Sequence, residues 1–344
     1  MPLISVIVAA HNREGFLRET VYSALYQSLP NSEVIIVDDA STDATASVAR
    51  RLASEDARVR LLQLPRNVGP SAARNAALDN ARGEYIAILD ADDVCLPNRF
   101  ERQVRFLRET RVDLCGSWFV EFGRGLSRTV KWPYTEAALQ AAMLFQYTVL
   151  HPSIMARRGV FDRFRYKPEL RLAEDYDLCV RVMSEFRMAN VPEVLVRYRR
   201  HADQATLSQR TKMEEVTRRI RIEALQAQGI EATREEQRIH NLIRAPKSNH
   251  SMDDFERIEA WLMKLVDRFE HPDARHIVAS QWIRAAVRAA PLGWPMWRRY
   301  RASVLHAMVG GKTSEDLDLA VLAAIRLDYG SPVFEILRRF GLSA

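Results

Sequence analysis

The sequence predicts an α/β fold, in which a mostly parallel, Rossmann-like sheet is flanked by helices and followed by a helical C-terminal region. At the start of the chain, β-branched runs alternate with stretches of helical periodicity; the runs are Ile4–Val8, Val34–Val37, Val59–Leu64 and Tyr85–Leu89. This alternation is typical of parallel strands whose crossover helices cover both faces of the sheet. From about Asp203 onward the sequence is helix-like and rich in Arg, Ala, Leu and Glu.

The first two helices between these strands are predicted from apolar residues that share one helix face. Leu17, Val21 and Leu25 have this spacing in the first helix. Val48 and Leu52 have it in the second. Each helix can therefore cover the sheet with its apolar side.

The third and fourth helices have different signatures. Ser71–Asn80 is rich in alanine, which favours a helix. The fourth helix begins after Pro97 and places Phe100, Val104 and Leu107 on one side. Both helices continue the alternation that predicts a parallel sheet.

The middle of the chain extends the same pattern. Strand-like and helix-like runs follow one another at Val112–Val120, Thr135–Phe145, Ile154–Met155, Ala173–Phe186 and Val194–Tyr198. We therefore expect an α/β domain over residues 1–204, which the family resemblance described below makes the catalytic domain, and a helical region over residues 205–344, with a soft boundary near 205–212.

The composition argues against several classes of protein. Lys and Arg number 50 against 44 Asp and Glu, a net charge of +6 without a concentrated basic stripe, so we expect no nucleic-acid partner. No segment approaches the roughly 20 apolar residues of a membrane span. The scattered Cys95, Cys115 and Cys179 fit a reducing compartment. We expect a cytoplasmic protein, with contact to the inner face of the membrane left open.

Polar residues follow the predicted strands, at the edge of the sheet where such folds bind ligands. The first strand is followed by His11, the second by Asp38 and Asp39, and the fourth by Asp90 and Asp92. Two acidic pairs at one sheet edge repel each other unless a cation or a donor-rich ligand lies between them. This acidic edge is the strongest indication of a binding site in the sequence.

Asp90 and Asp92 have the spacing of a metal-binding pair. Residues two apart in an extended chain point to the same side, so both carboxylates can face one ligand. Mg²⁺ and Mn²⁺ prefer such oxygen ligands and commonly bridge to substrate phosphates. The alternative is a solvated turn that caps the helix after Pro97.

A second acidic pair, Glu174 and Asp175, begins a predicted amphipathic helix. A carboxylate at this position can act as a base toward a hydroxyl within hydrogen-bond reach. It can also do no more than complement the helix dipole. The sequence leaves both alternatives open.

The chain contains, in this order, the motifs VIVAAHNR, VIIVDDASTD, RNVGPSAARNAAL, GEYIAILDADD and AEDYDLCVR. Their content and order resemble the family 2 glycosyltransferases, which have the GT-A fold and use nucleotide-diphosphosugar donors. The resemblance covers about residues 3–201. It implies a nucleotide-sugar donor, most simply a UDP-sugar, and a divalent metal cofactor, Mn²⁺ or Mg²⁺.

The resemblance also implies roles for the acidic residues and His11. Asp38 and Asp39 would hold the uracil, with Asp39 the better candidate, and Asp90 would lie against the ribose. Asp92 would bind the metal that bridges the diphosphate. Many relatives have a tyrosine that stacks on the base, and here His11 would have to replace it.

The other motif residues complete the implied site. Arg74 falls where the family often has a basic residue near the nucleotide, and Glu174 is assigned to the nucleotide-sugar site. Asp175 falls at the position of the catalytic base. His201 matches a histidine that some members use near the metal or the diphosphate.

The implied activity is an inverting, metal-dependent transfer of one sugar to a hydroxyl of a glycan or lipid-linked acceptor, as in cell-surface polysaccharide or glycoconjugate synthesis. The Gln-x-x-Arg-Trp signature of processive synthases does not occur. Two alternatives stay open. One is a sugar-1-phosphate nucleotidyltransferase. Such enzymes usually have a glycine-rich, basic phosphate loop near the N-terminus, for which residues 11–15 offer only thin support. The other is a catalytically silent nucleotide-binding scaffold.

The helical region gives less functional information. Residues 281–301 mix tryptophan with arginine. Such a face can lie on a membrane surface. We favour instead a helical pair with tryptophan in the core and arginine stems in solvent. A contact with a second copy of the chain is a further alternative.

Overall fold

We describe a computed structural model of the chain. It describes residues 1–123, 125, 127–201, 210–245, 251–310, 313–329 and 331–334. All statements below concern these residues.

The described residues contain nine strands that join in one sheet. They are β1 (Ile4–Ala10), β2 (Ser32–Asp38), β3 (Val59–Gln63), β4 (Tyr85–Ile88), β5 (Val94–Cys95), β6 (Leu114–Gly123), β7 (Arg128–Val130), β8 (Met155–Arg157) and β9 (Met188–Arg200). Their order across the sheet is β3-β2-β1-β4-β8-β6-β9-β5, and β7 pairs with β6.

The sheet is largely parallel, as the sequence predicts. β1, β2, β3 and β4 pair in parallel, and so do β6 and β9 along their length. The short strands β5, β7 and β8 pair antiparallel with their neighbours. β2 and β4 are buried at every position, which is expected of strands covered on both faces. The predicted fold class is therefore confirmed.

Seven helices lie between the strands, and all of them except α6 fall where the sequence predicts a helix. They are α1 (Leu17–Leu25), α2 (Thr45–Glu55), α3 (Pro70–Asp79), α4 (Arg99–Thr110), α5 (Glu136–Met143), α6 (Arg158–Arg163) and α7 (Glu174–Val182). The predicted α1 face of Leu17, Val21 and Leu25 is buried in the core beside β1 and β2. Complete burial of one such aliphatic side chain contributes about 1.5–3 kcal/mol.

Three elements differ from the predicted ranges. The helix expected over Ala173–Phe186 ends at Val182, and the strand expected at Val194–Tyr198 is the second half of the longer β9. The strand expected at Val112–Val120 begins and ends later, at Leu114 and Gly123. Long parallel pairing with β6 extends β9 beyond its apolar core, because the ladder supplies hydrogen bonds that the local sequence does not indicate.

The residues described after β9 are mostly helical. The helices are α8 (Arg210–Ala227), α9 (Arg234–Leu242), α10 (Met252–Arg268), α11 (Pro272–Ala279), α12 (Gln281–Arg288), α13 (Trp294–Ala302), α14 (Val304–Val309) and α15 (Thr313–Ala324). α9 and α10 each begin with a capping box, at Thr233 with Glu236 and at Ser251 with Asp254. Phe255 of α10 and Trp282 of α12 are both buried, and their stacked rings have centroids 4.2 Å apart.

The chain forms two compact units that are not simply consecutive in sequence. One comprises 1–136 and 148–220, and the other comprises 137–147 and 221–344. The boundary predicted between residues 204 and 205 lies outside the described residues, and the compact units divide at Ile220 instead. The segment 137–147, expected in the catalytic domain, groups with the helical unit.

Backbone carbonyls explain why segment 137–147 belongs to the helical unit. Gln228 donates to the carbonyl of Gln140 at 2.7 Å, and Arg221 donates to that of Phe145 at 3.1 Å. The Nε2 atom of His240 lies 2.8 Å from the carbonyl oxygen of Leu144. These carbonyls at the end of α5 are satisfied by side chains of the later helices.

The tryptophan- and arginine-rich stretch has a mixed character. Trp282 is fully buried and donates to the carbonyl of Tyr300, as expected of a core residue. Trp294 is 49% exposed and packs edge-on against Trp297. Among the helices described, none has the length and apolar character to cross a bilayer.

Candidate active site

The ends of β1 and β2 lie side by side, and this fixes the first two polar motifs. Ala10 pairs with Asp38 at the last position of the ladder, and the Asp39 amide donates to the Ala10 carbonyl at 2.8 Å. The Nδ1 atom of the exposed His11 lies 2.9 Å from the Asp39 carbonyl oxygen. The structure therefore brings His11 and Asp39 together, as the predicted strand ends require.

Three non-glycine residues at the edges of the site have left-handed backbone conformations. Asn12 and Ala40 follow β1 and β2 with φ of 52° each, and Ala173 precedes α7 with φ of 55°. Such conformations cost about 1–3 kcal/mol each and persist where surrounding contacts determine them. The Asn12 Oδ1 atom, for example, accepts a hydrogen bond from the Thr42 amide at 2.9 Å. The strain is concentrated where the polar motifs lie.

Asp38 and Asp39 are both buried, and each organises a loop. The Oδ1 atom of Asp38 accepts from the Ser41 amide at 3.2 Å. The Asp39 carboxylate accepts from two successive amides, Val68 at 2.7 Å and Gly69 at 2.9 Å. Asp39 therefore holds the loop that enters α3. A carboxylate oxygen has two acceptor sites, so these bonds leave acceptor capacity on Asp39.

Arg74 joins two of the predicted site residues. Its guanidinium donates to Asp90 at 3.0 Å and to Glu174 at 2.8 Å, and the residue is 9% exposed. Burial opposes its charge, but attraction to Asp90 and Glu174 outweighs that effect and raises the pKa of Arg74. The motif on α3 and the motif on α7 are thereby held against the end of β4.

His151 and Tyr166 extend this network, and sequence reasoning missed both. The His151 Nδ1 atom lies 3.2 Å from Asp90 Oδ1, and its Nε2 atom lies 2.9 Å from the Tyr166 hydroxyl. Burial acts against ionisation of Asp90, yet His151 and Arg74 hold its pKa well below the usual range. Neither His151 nor Tyr166 belongs to a recognisable motif, so only their proximity in the fold identifies them.

Asp175 differs from Asp90 in its electrostatic environment. It is partly buried at the start of α7, and in the described part of the chain it forms no ion pair. Burial, followed by repulsion from Glu174, raises the pKa of Asp175 to about 6. His151 and Arg74 act in the opposite direction. The carboxyl is therefore suited to exchange a proton near neutral pH.

Asp92 and His201 meet at the other side of the acidic motif. The Nε2 atom of His201 lies 3.0 Å from Asp92 Oδ2, and the Arg13 Nε donates to that same oxygen at 3.0 Å. Pairing of β5 with β9 and the bond from the Arg199 side chain to the Asp92 carbonyl, at 2.8 Å, hold the end of β9 here. The structure thus brings together the two predicted metal ligands.

The fit of a divalent metal rests on this pair. No group of three or more acidic, histidine or cysteine side chains with metal-binding geometry occurs among the described residues. A carboxylate oxygen suits Mn²⁺ or Mg²⁺ when phosphate oxygens and water complete the shell, and an added imidazole nitrogen favours the transition metal Mn²⁺ over Mg²⁺. Asp92 and His201 therefore fit a metal that is shared with a phosphate-bearing ligand.

Asp93 also helps to hold the end of β9 against the acidic motif. Its side chain is buried, and its Oδ1 atom accepts from the Arg199 amide at 2.7 Å. Burial, with repulsion from Asp92 and Asp90, raises its pKa well above the usual range. Asp93 was not among the predicted site residues, although it adjoins the acidic motif.

Comparison with known proteins agrees with this geometry. Residues 5–165 match the model of the family described as glycosyl transferase family 2. An uncharacterized glycosyltransferase of Methanocaldococcus jannaschii is 32% identical over 205 residues, which cover 58% of this chain and 71% of that protein. TuaG of Bacillus subtilis, named for teichuronic acid biosynthesis, is 42% identical over 108 residues, 31% of this chain and 43% of TuaG.

The fold has a similar counterpart among solved structures. The crystal structure of residues 1–349 of S. aureus TarS in complex with UDP-GlcNAc matches with a TM-score of 0.58. It is 21% identical, and the match covers 99% of this chain and 92% of that one. The expected GT-A fold is confirmed by this similarity. The M. jannaschii relative, with the family model, establishes that the chain belongs to glycosyl transferase family 2.

Proposed function

We propose that the chain is an inverting, metal-dependent glycosyltransferase that moves one sugar from a UDP-sugar to an acceptor hydroxyl. The observation that carries this proposal is the contrast between Asp175 and Asp90. Against the effect of burial, His151 and Arg74 hold the pKa of Asp90 well below its usual range, whereas the pKa of Asp175 is raised to about 6. Two carboxyl groups with separated pKa values are typical of sites that divide binding and acid–base roles between them.

The reaction follows from these roles. Asp175 accepts the proton of the acceptor hydroxyl while the oxygen of that hydroxyl forms a bond to the anomeric carbon. The bond between that carbon and the diphosphate oxygen breaks, and the electron pair leaves with the nucleoside diphosphate. A single displacement inverts the configuration at the anomeric carbon. Asp175 suits the base because it is partly buried and has no cationic partner among the described residues.

Asp92 and His201 would hold the divalent metal. When bound there, the ion would neutralise charge on the departing diphosphate. Arg13, which donates to the same Asp92 oxygen, adds a second positive group on this side of the site. This arrangement supports a metal shared between the protein and the diphosphate.

The nucleoside would lie at the ends of β1 and β2. Asp39 retains acceptor capacity for a base N–H group, and Asp38 lies next to it. His11 is exposed and anchored through one ring nitrogen, which leaves its ring accessible for stacking. TarS, a structural neighbour, is described in complex with UDP-GlcNAc, and this supports UDP as the nucleotide.

The acceptor is proposed to be a hydroxyl of a growing glycan or of a lipid-linked glycan. The name of the relative TuaG places that protein in teichuronic acid biosynthesis, which supports a role in polysaccharide synthesis. The exposed Trp294 offers a surface for a bilayer or a second copy of the chain. The bilayer and the second copy of the chain are both proposed partners.

A panel of nucleotides and metals tests this function. UDP, GDP, dTDP and CMP are each added with Mn²⁺, with Mg²⁺ or with chelator, and thermal unfolding is measured. We expect UDP with metal to stabilise the fold, and we expect Asp92→Ala to lose the effect. UDP release from UDP-sugars with acceptor then measures turnover in wild type, in Asp175→Asn and in the exposed control Asp162→Asn.

The outcomes separate the alternatives. Turnover that falls only in Asp175→Asn supports the proposed base, and inverted product identified by nuclear magnetic resonance supports single displacement. Binding of UDP without turnover of any UDP-sugar would instead indicate a silent scaffold. Release of diphosphate from a nucleoside triphosphate would indicate a nucleotidyltransferase, which family membership disfavours.

A further inference from the structure

Four arginines lie near one another in the helical unit. Arg221 lies on α8, Arg244 follows α9, and Arg284 and Arg288 lie one turn apart on α12. All four belong to the same compact unit, which contains no predicted donor-site residue. We call these four residues the arginine cluster.

Hydrogen bonds anchor Arg221, Arg244 and Arg288 to neighbouring oxygen atoms of the same unit. Arg288 donates to the carbonyl of Arg284 at 2.9 Å and to that of Ala245, the neighbour of Arg244, at 2.8 Å. Arg221 donates to the carbonyl of Phe145, and Arg244 donates to the side chain of Gln146, the next residue. These four acceptors are neutral amide oxygens.

Arg244 has a donor that the protein leaves unused. Its Nη1 atom is buried and has no hydrogen-bond partner among the described residues. An unpaired buried guanidinium donor costs roughly 1–3 kcal/mol or more, because it has lost its hydration. Burial, followed by repulsion from Arg284, Arg288 and Arg221, lowers the pKa of Arg244 to about 9. Among the described residues, Arg244 forms no ion pair with a carboxylate.

Arg284 gives the cluster access to solvent. Its side chain is exposed on α12, and in the described part of the chain it forms no ion pair. Glu315 is the carboxylate that acts on it electrostatically, and the Tyr329 hydroxyl does the same. The cluster therefore runs from the exposed Arg284 to the partly buried Arg244, whose Nη1 atom is itself buried.

We propose that the arginine cluster binds a diphosphate group, with Arg284 at the entrance and Arg244 as the buried donor. Guanidinium groups present paired N–H donors that match the oxygens of a phosphoryl group, which makes arginine the preferred residue for such anions. A doubly or triply charged anion would relieve the mutual repulsion of several arginines at once, which a single carboxylate cannot do. The unused Nη1 donor of Arg244 supplies the innermost bond.

The same chemistry could come from two sources, a soluble diphosphate or the diphosphate headgroup of a lipid-linked molecule. The recognition elements are identical, and the sources differ only in the attached apolar chain. The site is independent of the donor site because it needs neither the metal nor any residue of the sheet. It can therefore be tested in the presence of chelator.

Calorimetric titration of the full chain with inorganic diphosphate, in chelator, tests the proposal directly. We expect saturable binding in wild type and at least tenfold weaker binding in Arg244→Gln and in Arg284→Gln. Arg298→Gln, which removes an exposed arginine of the same unit, serves as the matched control and should bind like wild type. UDP binding in the presence of metal should be unchanged in all three variants. Absence of diphosphate binding to wild type, or equal binding by all variants, would overturn the proposal.

Thermal unfolding separates a ligand site from a structural role. Without anion, Arg244→Gln should melt at the same temperature as wild type or higher, since it removes a repelled, unpaired cation. With diphosphate, wild type and Arg298→Gln should gain stability and Arg244→Gln should not. A lower melting temperature in Arg244→Gln without anion, combined with no gain in wild type, would show that Arg244 is structural only.

Vesicles identify the source of the diphosphate. Phosphatidylcholine vesicles that contain a polyprenyl diphosphate are compared with vesicles of equal charge that contain phosphatidylserine. Sedimentation with the first alone, lost in Arg284→Gln, assigns the cluster to a lipid headgroup. Binding of free diphosphate without such sedimentation assigns it to a soluble ligand. Sedimentation that is equal for both vesicles and all variants would contradict recognition of diphosphate by this cluster on a membrane.

Discussion

The imidazole of His201 lies 3.0 Å from the carboxylate of Asp92, although 109 positions separate the two residues in sequence. The contact joins the end of β9 to the turn after β4. It forms because β5, directly after the acidic motif, pairs with β9 shortly before its end. One short antiparallel bridge therefore assembles the proposed metal site.

Replacement of His201 should weaken metal binding at this site. His201→Ala removes the only nitrogen ligand proposed for the metal, so we expect the apparent affinity for Mn²⁺ in the presence of UDP to fall at least about tenfold, or 1.4 kcal/mol. Calorimetric titration of Mn²⁺ measures this change. His276→Ala, at an exposed histidine of the helical unit, is the control. Equal Mn²⁺ affinity in both variants would remove His201 from the proposed ligand set.

Removal of the proposed base should separate catalysis from binding. Asp175→Asn keeps the size of the side chain but cannot accept the proton, so kcat should fall by about 10²–10⁴-fold. UDP affinity should stay near that of wild type. Steady-state kinetics and calorimetry together provide the test. A loss confined to KM would show that residue 175 serves in binding instead.

The raised pKa of Asp175 predicts the pH dependence of both rate and stability. The base must be deprotonated, so kcat should rise with pH through about 6 and then level off. The folded state holds this proton more tightly than the unfolded state. Asp175 therefore lowers the free energy of unfolding progressively as pH rises from about 4 to about 6.

The stability effect has a simple control. Asp175→Asn should be more stable than wild type at pH 7, and the difference should shrink toward pH 4. Chemical denaturation at several pH values measures it. A difference that grows as pH falls would mean that the pKa of Asp175 is lowered, not raised, in the folded protein.

Loss of Arg74 should destabilise the fold more than loss of an exposed arginine. Arg74→Gln leaves Asp90 and Glu174 without their shared cation, and breaking a buried pair in this way costs about 3–5 kcal/mol. Arg82→Gln, at an exposed position that follows α3, should change the free energy of unfolding by less than about 0.5 kcal/mol. Urea denaturation compares the two. Similar values would show that Asp90 and Glu174 do not depend on Arg74.

The hydrogen bond between Tyr166 and His151 should orient the imidazole toward Asp90. Tyr166→Phe removes the hydroxyl and leaves the ring, so the loss in stability should be about 1 kcal/mol. If the bond positions Asp90, KM for the donor should rise while the pH dependence of kcat stays unchanged. Kinetics as a function of pH check this. An altered pH profile would place His151 in proton transfer instead.

The site residues that can be predicted from the sequence are those that directly follow a strand. His11, Asp39 and Asp90 lie near where the sequence places them, because apolar runs locate strand ends and the sheet brings parallel ends to one edge. The pairing of Asp92 with His201 follows from family resemblance, since no local pattern relates the turn after β4 to the end of β9.

The missed part depends on contacts between distant segments. His151 and Tyr166 lie in irregular segments without periodicity, and their roles arise from contacts with Asp90 and with each other. Arg13 closes the motif that follows the first strand, but its bond to Asp92 depends on a side-chain conformation that the sequence does not indicate. The contacts of segment 137–147 with later helices could not be predicted either, because its helical pattern does not indicate which residues it binds.

The membership of segment 137–147 in the helical unit has a consequence for any shortened form of the protein. Leu144 and Phe145 are fully buried, and the residues that hold their carbonyls come from positions 221 and 240. A fragment that stops at residue 204 would contain these apolar side chains without the helices that hold them, and should aggregate. During synthesis, too, this segment leaves the ribosome before Arg221, Gln228 and His240, so its carbonyls lack these partners until that part of the chain has been made.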